Sequence, residues 1–328
     1  MARVIVITSG KGGVGKTTTT ANIGMSLARF GYRTLLIDAD VGLRNLDLLL
    51  GLENRIIYTG LDVLNENCRL EQALIKDKRQ PKLSFLPLAS NRTETPVTGA
   101  QIKDLVNKLE NNYDFILVDS PAGIDTGFLT AIECVNEAIV VVTPEVPSIR
   151  DADRVIGIMM SKNVNKMGLV INRIRPNMVK NDDMMSIEDV ISILGIPLIG
   201  VIPDTEKIII ASNRGEPIVL DDKVCLPRIA FENTTRRLIG EEIVFNELDS
   251  SFSKNPIRRM INTHIDTYLH THIHTYIHTY KQTNIHKHSK SLKFNDIWRN
   301  QKRDPPTRAC STSGGQMSPT VLVGEKAV

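Results

Sequence analysis

The sequence contains few of the residues that build metal clusters or disulfide frameworks. Its 328 residues include four cysteines, which form no CxxC pair: Cys68, Cys134, Cys225 and Cys310. All seven histidines and the single tryptophan lie beyond residue 260. We therefore expect reduced thiols in a reducing compartment, and neither a metal cluster nor a disulfide scaffold.

Long apolar runs are also missing, and so is a basic surplus in most of the chain. No run reaches the 18 apolar residues expected of a membrane-spanning helix. Because an apolar, strand-like run begins at residue 3, we expect no signal or transit peptide. Residues 254–328 carry twelve Lys/Arg and four Asp/Glu, so the net charge of +3 hides a remainder with 28 basic and 33 acidic residues. Because this larger part is acidic, we expect no nucleic-acid partner.

Short apolar runs rich in β-branched residues recur along the chain. They occupy 3–8, 33–38, 83–88, 115–119, 138–143, 167–172 and 197–202. Most are apolar throughout, which is typical of strands covered on both faces. Between or after them, helical spacing marks segments 17–30, 98–110 and 227–240. This alternation predicts an α/β fold with a doubly wound, mostly parallel sheet.

The composition changes near residue 250. We expect residues 1–245 to form one domain and 246–328 to form a basic, low-complexity, disordered tail. Part of this tail, THIDTYLHTHIHTYIHTYKQTNIHKH, consists almost wholly of His, Thr, Ile and Tyr. A histidine-rich tract can bind metal, but a CA/TA dinucleotide repeat also encodes these residue types. We favour the second interpretation, in which the tract is a translated simple repeat.

Residues 10–17 read GKGGVGKT and match the phosphate-binding pattern GxxxxGK[ST] between a predicted strand and a predicted helix. The glycines allow backbone N–H groups to surround phosphate oxygens at the helix N-terminus. We expect Lys16 to reach the β- and γ-phosphates and the Thr17 hydroxyl to bind Mg²⁺. The predicted cofactor-binding residues of this loop are Gly10, Lys11, Gly12, Gly13, Val14, Gly15, Lys16, Thr17 and Thr18.

Three aspartates follow predicted strands beside this loop. Asp38 and Asp40 come at the end of one run, and Asp119 ends another before the flexible turn SPAG. A single aspartate at a strand end is most often a turn former. Because the carboxyl ends of parallel strands meet at one edge of a sheet, three of them beside a phosphate loop favour a nucleotide and metal site. We predict Thr17, Asp38 and Asp119 as the metal-binding residues.

The stretch KGGVGKTT resembles the deviant phosphate loop of the ParA/MinD ATPase family, which has a second lysine early in the loop. In that family the early lysine, here Lys11, crosses a dimer interface to the ATP of the partner, much as an arginine finger does. The alternative is that Lys11 is only a solvated loop charge. The resemblance implies an ATP-dependent homodimer whose catalytic residues are Lys11, Lys16 and Asp40, with Asp40 positioning the attacking water.

Other stretches narrow the resemblance to the MinD group of this family, in its plastid and cyanobacterial forms. They lie within about residues 2–243 and include IDADVGLRNLDLLLGLE, QALIKDKR, DSPAGIDTGF and GVIPDTEKIIIASNRGEPIVL. The resemblance implies Mg²⁺ held by Asp119 through a water, with Asp38 alongside. It further implies an adenine site near Asn172, Pro203 and Asp204, and a surface for MinE or MinC that includes Arg44 and Asp151.

The function implied is an ATP-driven switch that positions the division site. The ATP-bound dimer would lie on an anionic membrane, recruit MinC or plastid division factors, and leave when a MinE-like activator stimulates hydrolysis. Family members end in a basic amphipathic helix, and the nearest stretch here, NPIRRMINTHIDTYL at 255–269, has only a weak apolar face.

Two other functions share the same phosphate loop. A ParA-like DNA-partitioning ATPase needs a basic surface, and an iron–sulfur reductase of this class needs paired cysteines. We expect the plastid stroma and the inner envelope membrane, as a peripheral protein, or alternatively the bacterial cytoplasm and inner membrane.

Overall fold

The computed structural model describes residues 1–40, 45–89 and 97–245. Arg44, the histidine-rich tract and the segment at 255–269 lie outside the described residues, and the predicted tail stays a prediction. No helix in the three described ranges is both long and apolar enough to cross a membrane.

Eight strands in the described ranges form one sheet: β1 (Arg3–Thr8), β2 (Thr34–Asp38), β3 (Ile75–Lys76), β4 (Leu83–Pro87), β5 (Phe115–Asp119), β6 (Glu137–Val142), β7 (Lys166–Ile174) and β8 (Leu198–Pro203). Their order is β3-β4-β2-β5-β1-β6-β7-β8. Of these pairings, β3 with β4 is antiparallel, and the others are parallel. The predicted doubly wound, mostly parallel sheet is therefore confirmed.

The described residues also form eleven α-helices: α1 (Lys16–Arg29), α2 (Leu46–Leu50), α3 (Gly60–Leu64), α4 (Leu70–Ala73), α5 (Gly99–Leu109), α6 (Thr126–Ile132), α7 (Val146–Ser161), α8 (Pro176–Lys180), α9 (Ile187–Leu194), α10 (Glu206–Asn213) and α11 (Leu226–Leu238). The helices predicted at 17–30, 98–110 and 227–240 correspond to α1, α5 and α11. Helix α5 begins where the sequence provides a capping box, in which Thr98 accepts from the backbone N–H of Gln101.

The central strands bury both faces, so alternate residues of one strand belong to different cores. Val4 and Val6 of β1 lie in a core with buried residues of α5, α6, α7 and α9. Ile5 and Ile7 lie in the opposite core, with buried residues of α1, α2 and α11. The unbroken apolar runs in the sequence thus reflect a three-layer arrangement.

The strand order reverses at β1, which lies between β5 and β6. Ligands of open α/β sheets bind beyond the carboxyl ends of the strands at such a reversal. The phosphate loop follows β1 there, and Asp38 of β2 is in register with Asp119 of β5. Topology alone therefore brings the loop and both buried aspartates to one place.

Candidate functional site

The loop after β1 turns through glycines that adopt left-handed backbone angles. Gly13 has a φ of 78° and Gly15 a φ of 94°, which residues with a Cβ adopt only with strain. Gly15 is also the N-cap of α1, and no side chain caps that helix. The first N–H groups of α1 therefore receive no side-chain acceptor from their N-cap residue, which is the usual arrangement of an anion-binding loop.

The first glycine of the loop packs against helix α7. A Cβ added to Gly10 would overlap the backbone carbonyl group of Asp151. At Gly12, by contrast, the nearest atom to an added Cβ is the Cβ of Ala122, at 3.9 Å. The loop is thus in direct backbone contact with the helix that carries Asp151, one of the residues implied in partner binding.

Asn172 of β7 holds the middle of the loop. Its side-chain amide donates a hydrogen bond of 2.7 Å to the carbonyl oxygen of Val14, and both residues are buried. A Cβ at Gly15 would overlap the same amide nitrogen. The resemblance implied that Asn172 lies near adenine, and the structure shows it bound to the backbone of the loop.

Replacing Asn172 by alanine is expected to lower the free energy of unfolding by about 2 kcal/mol, because the buried Val14 carbonyl loses its donor. The exposed Asn177 of α8 provides a matched control, and its alanine variant is expected to stay within about 0.5 kcal/mol of the parent. Urea unfolding measures both. Equal stabilities of the two variants would contradict this role of Asn172.

Lys16 and Asp119 form a buried ion pair under the loop. Lys16 Nζ lies 3.8 Å from Asp119 Oδ1, and their side chains are 8% and 1% exposed. Thr20 donates a hydrogen bond of 2.9 Å to the same oxygen. Burial raises the pKa of Asp119, and the nearby Lys16 charge and the Thr17 and Thr20 hydroxyls oppose this. Among the described residues, the other oxygen, Oδ2, is buried without a hydrogen-bond partner.

Asp38 provides a second buried carboxylate beside Asp119. It accepts hydrogen bonds from the backbone N–H groups of Asp40, at 3.0 Å, and Leu46, at 3.3 Å. Burial, followed by the charge of Asp119, raises the pKa of Asp38 to about 7. Two adjacent buried carboxyl groups that disfavour ionisation would gain from a nearby cation.

The donor set fits Mg²⁺. Carboxylate and hydroxyl oxygens of Asp38, Asp119 and Thr17 are hard ligands, and the unpaired Oδ2 of Asp119 is an open acceptor. Within the described ranges, no group of three or more His, Cys, Asp or Glu residues could hold a metal ion. Because Mg²⁺ keeps waters and binds substrate phosphates, this protein site needs phosphate and water oxygens to complete it.

Lys11 lies at the surface, where α7 begins. Its Nζ is 3.5 Å from Glu145 Oε2, and the two side chains are 45% and 53% exposed. Its backbone is held, because Ser9 Oγ donates a hydrogen bond of 2.9 Å to the carbonyl oxygen of Lys11. Lys11 thus has a fixed backbone and a side chain in an exposed, weak ion pair.

The residues predicted near adenine lie at the carboxyl ends of β7 and β8. Pro203 ends β8, and the backbone N–H of Asp204 donates to the carbonyl oxygen of Ile174 at 3.0 Å. The Asp204 carboxylate forms an ion pair of 2.5 Å with Arg175. The described contacts of Asp204 are thus structural, and its place beside adenine stays a prediction.

Known proteins share this arrangement over most of the chain. Residues 5–218 match the family model of the CobQ/CobB/MinD/ParA nucleotide binding domain. A septum site-determining protein MinD of Emiliania huxleyi is 66% identical over 261 residues, which are 80% of this chain and 96% of that relative. This chain belongs to the MinD family. The MinD of the cyanobacterium Synechocystis is 51% identical over 263 residues, which are 80% of this chain and 99% of that relative.

Solved MinD structures have the same fold. The MinC:MinD cell division protein complex of Aquifex aeolicus matches with a TM-score of 0.70 and 51% identity, over 75% of this chain and 98% of that chain. MinD of Pyrococcus horikoshii, solved with Mg-ADP, matches with a TM-score of 0.65 and 29% identity, over 74% of this chain and 100% of that chain. The expected resemblance to MinD is confirmed.

Two residues that contact predicted residues of this MinD-family site, Thr20 and Glu145, were not themselves predicted from the sequence. Thr20 binds Asp119, and its position four residues after Lys16, one helical turn further on, was the available signal. Glu145 pairs with Lys11, and its place just beyond the carboxyl end of β6 pointed to the same edge of the sheet as the aspartates.

Proposed function

We propose that this chain is a Mg²⁺-dependent ATPase that positions a plastid or bacterial division site. It would do so by ATP-switched membrane association and recruitment of division regulators. The observation that carries the proposal is the buried Lys16–Asp119 pair beneath the phosphate loop, with one carboxylate oxygen that no described residue hydrogen-bonds. Membership of the MinD family supports the same function.

Each residue has a role that its position supports. The backbone of residues 10–18 would surround the phosphates, while Lys16 would balance charge on the β- and γ-phosphates. Thr17, Asp38 and Asp119 would hold Mg²⁺, which neutralises charge on the phosphate oxygens when bound. Asp40, whose N–H donates to Asp38, would position the water that attacks ATP to give ADP and phosphate.

Partners follow from the family. We propose a homodimer formed on ATP binding, in which Lys11 reaches the nucleotide of the other copy. A MinE-like activator would stimulate hydrolysis, and MinC or plastid division factors would be recruited. The solved Aquifex MinC:MinD complex supports MinC as the recruited partner. An anionic membrane surface is the proposed docking site.

The proposed location is the plastid stroma with the inner envelope membrane, or alternatively the bacterial cytoplasm and inner membrane. MinD relatives from an alga and a cyanobacterium support both settings.

Co-sedimentation of the full chain with phosphatidylglycerol vesicles tests this function. We expect pelleting with Mg-ATP and not with Mg-ADP, together with slow ATP hydrolysis that EDTA abolishes. Size-exclusion chromatography should show a dimer in the presence of ATP and a monomer in the presence of ADP. Failure to bind or hydrolyse ATP would contradict the proposal. Salt-sensitive binding to DNA without vesicle binding would instead support a ParA-like partitioning ATPase.

A further inference from the structure

Arg79, in the KDKR stretch at 76–79, connects two segments that are far apart in sequence. Its Nη2 donates a hydrogen bond of 2.5 Å to the carbonyl oxygen of Leu50, the last residue of α2. Its Nη1 donates one of 3.1 Å to the carbonyl oxygen of Gly215, just after α10. One guanidinium group therefore binds both segments at once.

Asp77 fixes the direction of this guanidinium. The Asp77 side chain is 1% exposed and binds Arg79 through both oxygens, to Nη2 at 2.6 Å and to Nε at 3.2 Å. The backbone N–H groups of Arg79 and Gln80 donate to Asp77 Oδ1 as well. A buried carboxylate paired in this way leaves Arg79 little freedom to turn.

The two segments also touch through their backbones. Gly51 and Gly215 have left-handed φ angles of 61° and 66°. A Cβ on Gly51 would lie 2.8 Å from the Gly215 carbonyl oxygen, and a Cβ on Gly215 would lie 2.8 Å from the Gly51 Cα. This contact has no space for a side chain at either position. Arg79 stabilises it by binding the carbonyl oxygens of Leu50 and Gly215.

Helix α2 connects this contact to the predicted metal site. The helix has five residues, about 7 Å of length, and its first residue, Leu46, donates its backbone N–H to Asp38 Oδ2 at 3.3 Å. The end of α2 that binds Arg79 is therefore one five-residue helix away from a predicted metal-binding carboxylate.

The other side of the contact is anchored on the helix that follows the phosphate loop. Soon after Gly215, the backbone N–H of Val219 donates to Asn22 Oδ1 at 3.3 Å. Asn22 lies on α1, whose first residue is Lys16, and its amide donates to the Thr18 carbonyl oxygen at 2.8 Å. Arg79 thus joins α2, which binds Asp38, to a segment bound to α1.

We infer that Arg79 is a positioning residue for the metal site. It holds α2 at a fixed distance from α1, and so keeps Asp38 in place relative to Lys16 and Asp119. The inference rests on the proposed function, because it requires that Asp38 helps to hold Mg²⁺ beside ATP. Residues that orient metal ligands from outside typically change metal affinity or activity by about 10- to 100-fold when mutated.

Two variants break the contact in different ways. Arg79→Lys keeps the positive charge beside Asp77, but a point-charge ammonium lacks the planar fork that reaches both carbonyl oxygens. Gly215→Ala leaves Arg79 intact and forces Gly51 and Gly215 apart.

Each test variant has a matched control. The control for Arg79→Lys is Arg55→Lys, because Arg55 donates to a single carbonyl oxygen, that of Lys76. The control for Gly215→Ala is Gly195→Ala. Gly195 has the same left-handed φ, of 64°, but nothing lies within 4 Å of its added Cβ.

The measurement is the Kd of the full chain for a fluorescent ATP analogue, in Mg²⁺ and in EDTA. We expect both test variants to bind about tenfold more weakly than the parent in Mg²⁺, with Kd values in EDTA within about twofold. Both controls should match the parent in the two conditions. Urea unfolding of each variant, at the temperature of the binding assay, identifies any loss caused by unfolding.

Other outcomes have distinct meanings. An Arg79→Lys protein with an unchanged Kd in Mg²⁺, or with equal losses in Mg²⁺ and EDTA, would overturn the positioning role and leave the ATPase proposal intact. A parent chain that binds no ATP would overturn both. If Gly215→Ala does not fold, the comparison of Arg79→Lys with Arg55→Lys still decides the question.

Discussion

Replacing Lys11 by alanine is expected to lower the rate of ATP hydrolysis about 10³-fold and to abolish ATP-dependent dimerisation. The proposed role of Lys11 is to stabilise charge on the nucleotide of the partner, and loss of a charge supplied in this way costs about 10³ to 10⁵ in rate. The fold should be nearly unaffected, because the described ion pair of Lys11 with Glu145 is half exposed, and such pairs contribute about 1 kcal/mol or less.

Steady-state hydrolysis and size-exclusion chromatography with ATP measure these effects. Lys108→Ala is a matched control, because Lys108 also forms one exposed ion pair, at 2.8 Å from Asp104 on α5. The control should retain the parent rate and the dimer. If Lys11→Ala also dimerises and turns over ATP like the parent, Lys11 is a solvated loop charge, and its proposed role at the nucleotide of the partner is wrong.

Gly10→Ala is expected to lower the free energy of unfolding by about 3 kcal/mol. The added methyl group would overlap the backbone carbonyl of Asp151. The overlap is with backbone atoms, which cannot avoid it by a side-chain rotation. The loop or the first turns of α7 must therefore move. The variant should therefore also weaken nucleotide binding, since the loop must shift from its phosphate-binding shape.

Gly12→Ala provides the comparison within the same loop. Its added Cβ would meet only Ala122 Cβ, at 3.9 Å, so a change in stability below about 1 kcal/mol is expected. Urea unfolding of the two variants measures the difference directly. Equal losses would show that the cost comes from the loop itself and not from its contact with α7.

Regular patterns in the sequence predicted most of the fold. All seven predicted strands are present, with ends within two residues of the predicted ones. The short strand β3 was missed, because Ile75 and Lys76 are too few for any alternation or apolar run to show. The helices beyond α1, α5 and α11 were not predicted in detail, and several of them have only four or five residues.

In the candidate site, local sequence patterns were predictable and contacts between distant residues were not. The phosphate loop is a local pattern, and the position of Asp38 and Asp119 at one edge of the sheet follows from parallel strands, so both were predictable. Contacts between distant residues were not. Lys11 and Glu145 are 134 residues apart, and Arg79 and Gly215 are 136 apart. Spacing and composition do not specify such pairs, because the pairs depend on how loops pack against one another.

The two-residue strand β3 has a consequence for how copies of this chain can associate. It forms one edge of the sheet within the described residues and runs antiparallel to β4. So short an edge offers too few unpaired backbone groups for an incoming strand, a device that protects sheet proteins from amyloid-like aggregation. Concentrated protein should therefore resist growth into cross-β fibrils from this edge.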